Sequence, residues 1–135
     1  ETVEAGRDPY VAVKTPGRVC NFDGLADDVL VGTLAHELGH FESWRREETS
    51  AAYERLLVTD PGRLFKATAT LGDDLLTEAA IEEHRAWRYA REILARAVPE
   101  FASWPLFERM AREGPQTYVD GFRAAKPSWT PPHLG

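Results

Sequence analysis

Val29-Leu30-Val31-Gly32-Thr33-Leu34-Ala35-His36-Glu37-Leu38-Gly39-His40-Phe41 is the stretch whose reading decides the fold. Leu30, Leu34, Leu38 and Phe41 recur at helical spacing, which predicts a helix from about Leu25 to about Arg46 with those four as its buried stripe. Asp27 and Asp28 suit the positive N-terminal end of such a helix. His36 and His40 are four residues apart, so their imidazoles stand one above the other on a face beside the stripe. From there both can reach one Zn²⁺ at roughly 2.0–2.1 Å. Glu37, next to the first histidine, can then face the remaining coordination position and act as general base on a metal-bound water.

A catalytic zinc needs three protein ligands and one open position. The extended pattern H-E-x-x-H-x-x-G-x-x-H is not continued, because Ser43 stands at its glycine and Arg46 at its third histidine. A third ligand must come from further along. A strongly periodic helix is predicted from Asp74 to about Ala97, and it carries Glu78, Glu82 and Glu83. Its apolar stripe is Leu76, Ala79/Ala80, Ala86/Trp87, Ala90, Leu94 and Ala97, and Glu83 falls in the middle. Glu82 lies beside Glu78, Arg85 and Tyr89, a flank that reads as solvated. A carboxylate on an inward seam is costly unless something positive meets it, and Zn²⁺ would. Glu83 is therefore the favoured ligand, with Glu78 and Glu82 as alternatives. His84 is a weaker one, since it points about 100° away from the Glu83 face.

His36-Glu37-Leu38-Gly39-His40 resembles the helical zinc signature of the zincin metallopeptidases. Glu83-His84-Arg85-Ala86-Trp87-Arg88-Tyr89-Ala90 resembles the second motif of the gluzincins, E-x-x-A-[DN]-x-[FY]-A, found in the ImmA/IrrE family and in HtpX-type peptidases. On that resemblance Glu83 matches the glutamate ligand. Ala86 matches the small residue that lets the two helices approach, and Tyr89-Ala90 the packing pair. The resemblance runs from His36 to Ala90. It departs at Trp87, where the family has an Asp or Asn that often supports a histidine ligand. The orienting partner is then expected elsewhere, from Asp27, Asp28, Asp73 or Asp74. If Glu78 were the ligand instead, Glu82 would fill the acidic position, but Ile81 would replace the small residue.

What the resemblance implies is an α+β fold, predominantly helical. It would be a zincin-like domain over residues 1–125, with a short N-terminal strand region, the two-histidine helix and the glutamate helix. The strand signal lies in Tyr10-Val11-Ala12-Val13-Lys14 and Arg18-Val19-Cys20-Asn21-Phe22, which flank a Thr15-Pro16-Gly17 turn and are expected to pair as a hairpin. Further helices are expected over Glu47–Val58, Leu106–Arg112 and Gln116–Ala125. Residues 126–135 read as a Pro-rich tail, extended over the surface or disordered. Trp44, Trp87 and Trp104 read as core aromatics.

Composition narrows the function. A chain of 135 residues fits one domain, and 43% hydrophobic with 28% charged residues is ordinary for a globular protein. A net charge of −6 with scattered Lys and Arg argues against nucleic acid and against an anionic membrane surface. The first residues, Glu1-Thr2-Val3-Glu4, carry neither an initiator Met nor a signal-peptide pattern, which points to a processed or excised chain. A single cysteine, Cys20, forms no internal disulfide and suits a reducing cytoplasm, although a secreted enzyme without disulfides would look the same. The expectation is a zinc-dependent metallopeptidase acting on a peptide or protein substrate. His36, His40 and Glu83 would hold Zn²⁺, Glu37 would be the base, and Tyr53, His84, Tyr89 or Tyr118 would stabilise the transition state. The competing expectation is a non-catalytic module in which zinc only ties two helices together.

Overall fold

The fold is described from a computed structural model over residues 27–134. Its elements are α1 (Asp27–Arg45), α2 (Ala51–Thr59), α3 (Arg63–Lys66), a 3₁₀ turn (Thr68–Thr70), α4 (Asp73–Ala97) and α5 (Trp104–Ala125). Among the described residues there is no strand, so the α+β expectation is corrected to an all-helical architecture. The hairpin read over residues 10–22 lies outside the described residues. The physical reason is visible in what covers the two-histidine helix. Its inner face is filled by α4, with α5 behind, and no sheet packs there among the described residues.

α1 buries a face that hydropathy alone does not mark. Gly32, Thr33, Ala35, His36, Glu37, Gly39 and Ser43 are inside. Leu34, Leu38 and Phe41, expected as the core stripe, are 41%, 50% and 61% exposed. Close approach explains the inversion. A Cβ on Gly39 would lie 2.0 Å from the carbonyl oxygen of Ala86, so the backbones of α1 and α4 touch at that point. A glycine is needed at that contact, and the bulky leucines turn away.

α4 is the central rod. Asp73 and Asp74 sit in its first turn and Arg96 in its last, each matching the sign of the helix dipole. One apolar cluster gathers around its start, where Leu76, Ala79 and Ala80 meet Tyr53, Leu64, Tyr118 and Phe122. A second gathers around its end, where Trp87, Ala90 and Leu94 meet Ala35, Phe107 and Ala111. Glu82 and Glu83 fall between the two clusters, so a polar layer interrupts the core at mid-helix.

α5 differs from the expectation. α5 runs unbroken through Gly114-Pro115, where two shorter helices were expected. Pro115 is buried, and a Cβ on Gly114 would lie 2.6 Å from the Trp87 indole nitrogen, so tertiary packing holds this segment helical. The segment after α5 is anchored by Trp129, which is buried against Phe122 and donates its indole N–H to Thr77 Oγ1 at 3.1 Å. Among the described residues, no helix is long and apolar enough to cross a membrane.

Candidate metal centre

His36 and His40 come from the middle of α1, and Glu83 meets them from α4. The Gly39–Ala86 approach sets the distance between the two helices at that level. Glu83 Oε1 lies 2.7 Å from His36 Nε2, and Glu83 Oε2 lies 3.2 Å from His40 Nε2. One ligand atom from each of the three residues lies within 4.8 Å of the others. Donors about 2.0–2.1 Å from a shared tetrahedral ion stand roughly 3.3 Å apart, so holding an ion here means opening the shortest contact by about 0.6 Å and closing the widest donor pair by up to about 1.5 Å. The donor set, two imidazoles and one carboxylate, can hold a divalent metal ion. Of the three glutamates weighed from sequence, Glu83 is the one brought to both histidines, at 1% exposure.

Both Nε2 atoms face Glu83, which leaves each Nδ1 for an orienting partner. His40 Nδ1 lies 2.9 Å from Glu82 Oε2. Glu82 is itself fixed: its Oε1 accepts from Ser43 Oγ at 2.6 Å, Thr49 Oγ1 at 3.1 Å and Arg85 Nη1 at 3.0 Å. Glu82 was expected on a solvated flank, yet it is 2% exposed. The carboxylate that meets His40 Nδ1 is thus Glu82, and not the expected Asp27, Asp28, Asp73 or Asp74. Asp28 instead accepts from the Val29 backbone, and Asp73 pairs with Lys126 at 2.6 Å. A spacing signal was present in the sequence. Gly32, Gly39 and Ser43 fall on one helical face, a small-residue seam onto which the flank of the partner helix can close.

His36 is oriented differently. Its Nδ1 lies 3.1 Å from Glu37 Oε1, and its ring stacks on Trp87 with centroids 4.2 Å apart and planes 20° from parallel. Trp87 thus packs on the face of the His36 ring, while the carboxylate at its Nδ1 is that of Glu37. Burial works against a charge on His40, but Glu82 and Glu83 on either side override it and hold the imidazole up to about 10.

The loop after α1 contributes to the same network. Glu47 adopts a left-handed conformation, φ 59°, where a non-glycine residue carries some strain. That turn brings the Glu48 carbonyl to Arg85 Nη1 at 3.1 Å, and the Glu48 carboxylate accepts from the Tyr89 hydroxyl. It also delivers Thr49 to Glu82.

A cavity of about 180 Å³ opens beside the cluster, with Glu37, His40 and Tyr53 among its walls. Among the four residues read as transition-state stabilisers, Tyr53 is the one placed on this cavity. Burial, followed by the charges of Glu83, Glu82 and Glu37, pushes its phenol well above the ordinary range, so it keeps its proton. Tyr89 is engaged with Glu48, Tyr118 packs edge-on to Phe65 in the lower core, and His84 lies near Arg88 and Arg91. Trp44, expected in the core, is 56% exposed at the cavity edge and donates its indole N–H to Glu54 at 2.9 Å.

No protein-family model, curated protein sequence or solved structure matches this chain.

Proposed function

We propose that this chain is a zinc-dependent metalloendopeptidase. One observation carries the reading: His36, His40 and Glu83 converge from two helices with Glu37 beside them on an accessible cavity. Zinc held by these three side chains would supply a Lewis acid for the scissile carbonyl and lower the pKa of a bound water to about 7. Glu37 would accept the proton of the attacking water and pass it to the departing amine. Glu82 would hold His40, and Trp87 the ring of His36, in the orientation that aims both Nε2 atoms at the metal. Tyr53, protonated and on the same cavity, would donate to the oxyanion that forms as water adds.

A purely structural metal fits less well. The backbones of α1 and α4 already touch at Gly39 and Ala86, so the helix pair closes without a metal clip. A structural site also has no use for Glu37. The resemblance to the ImmA/IrrE family adds selective cleavage of a regulatory protein as the expected role.

The test is cleavage of an unbiased peptide library by the zinc-loaded protein, followed by mass spectrometry. Wild type should cleave, while Glu37→Gln should keep its zinc and lose at least about a hundredfold in rate. Equal cleavage by Glu37→Gln would remove the catalytic assignment.

A further inference from the structure

α1 turns one face inward to α4 and α5, and its outer face carries a row of large side chains. At about 100° per residue, Asp27, Leu30, Leu34, Leu38, Phe41 and Arg45 fall within roughly 80° of arc. Leu34, Leu38 and Phe41 are exposed there, and Leu30 is half-buried. Asp27 is exposed at one end of the row and Arg45 at the other. Single exposed apolar residues need no explanation, but a continuous row of them on one helix marks an interaction surface.

The order of the row names the partner. Asp27 and Arg45 stand equally far from position 36, and so do Leu34 and Leu38. Turning a second copy of α1 end over end about that level sets Leu34 against Leu38 of the second copy, and Phe41 against its Leu30 and Val31. The same turn sets each Asp27 beside the Arg45 of the other copy, one opposite-charge pair at each end. Parallel pairing would instead join Asp27 to Asp27 and Arg45 to Arg45. Antiparallel axes also set the two helix dipoles against each other favourably. Arg45 has room for a second carboxylate, because Glu42 takes its Nε and Nη2 and leaves Nη1. The row is therefore complementary to itself, as both sides of a two-fold interface must be.

We infer that the outer face of α1 is the interface of a reversible homodimer, with α1 packed antiparallel on α1 of a second copy. One helix face per copy is less than a standard interface, so folded monomer and dimer exchange with concentration. The metal centre stays accessible in this arrangement. Glu37 and His40 lie off the row, and of the row's residues Phe41 alone borders their cavity.

The test is sedimentation velocity of the full chain across a concentration series, with circular dichroism to follow the fold. Wild type is compared with Leu38→Lys, Asp27→Arg, Arg45→Asp and the double variant Asp27→Arg/Arg45→Asp. Wild type should pass from monomer to dimer as concentration rises. Leu38→Lys places a charge at the centre of the contact and should weaken association by about tenfold or more. Each single charge reversal sets like charges together at both ends and should weaken it by roughly fivefold. The double variant restores opposite charges and should associate nearly as wild type does. Monomer at every concentration, a dimer that Leu38→Lys leaves intact, or charge reversals that the double variant does not rescue would each overturn the interface. Loss of helix in dilute Leu38→Lys would assign the cover of this face to residues 1–26 of the same chain and overturn it as well.

Discussion

The two faces of α1 obey different rules. One carries Gly32, His36, Gly39 and Ser43 and is buried; the other carries Leu34, Leu38 and Phe41 and is exposed. Ranked by hydrophobicity, the order would be reversed. The buried face was chosen by distance, because α4 approaches until Gly39 meets Ala86 backbone to backbone. At that separation the helices can bring two imidazoles and a carboxylate within bonding range of one ion. Close packing and metal chemistry thus make the same demand on the sequence.

The sharpest way to break this contrast is Gly39→Ala. The new Cβ would stand 2.0 Å from a carbonyl oxygen that cannot swing aside, so the helices must separate. Urea unfolding should show a loss of about 3 kcal/mol or more, with zinc content falling as well. Little change in either would mean that the seam is not tight. Next in size is Glu82→Gln, which leaves the seam intact but weakens the hold on His40. Zinc affinity, from competition with a chelator, should drop by roughly ten- to a hundredfold. An unchanged affinity would make Glu82 a packing residue only.

Gly32→Ala sharpens the comparison on the buried face itself. Its Cβ would meet the terminal methyl of Met110 at 3.3 Å, a flexible group that can yield. Helix propensity then offsets the crowding, and stability should stay within about 1 kcal/mol of wild type. Smallest is Leu38→Lys on the opposite face, at 50% exposure. Thermal and urea unfolding should move by no more than about 0.5 kcal/mol. A loss of 2 kcal/mol or more would mean that this face is covered after all.

The sequence made some of this legible. Two histidines at i and i+4 identify a shared face, and Glu83 in an apolar stripe stands out because burial of a lone carboxylate is costly. The α4 boundaries followed from a periodicity uninterrupted between Gly72 and Pro99. What remained hidden depended on distances between helices. Glu82 looks solvated when α4 is read alone, and it becomes buried only because Ser43, Thr49 and Arg85 close around it. Leu34, Leu38 and Phe41 form a clear stripe, but a stripe states which residues share a face and not which face is covered. Pro115 reads as a helix break, and the packing of Gly114 on Trp87 overrides it.

The most direct test is metal analysis of the purified protein by mass spectrometry, with wild type beside His36→Ala, Glu83→Ala and Glu37→Gln. The expected result is about one Zn²⁺ per chain in wild type and Glu37→Gln, and loss of that zinc in both ligand variants. Full zinc in Glu83→Ala, or none in wild type after zinc reconstitution, would contradict a centre built from His36, His40 and Glu83.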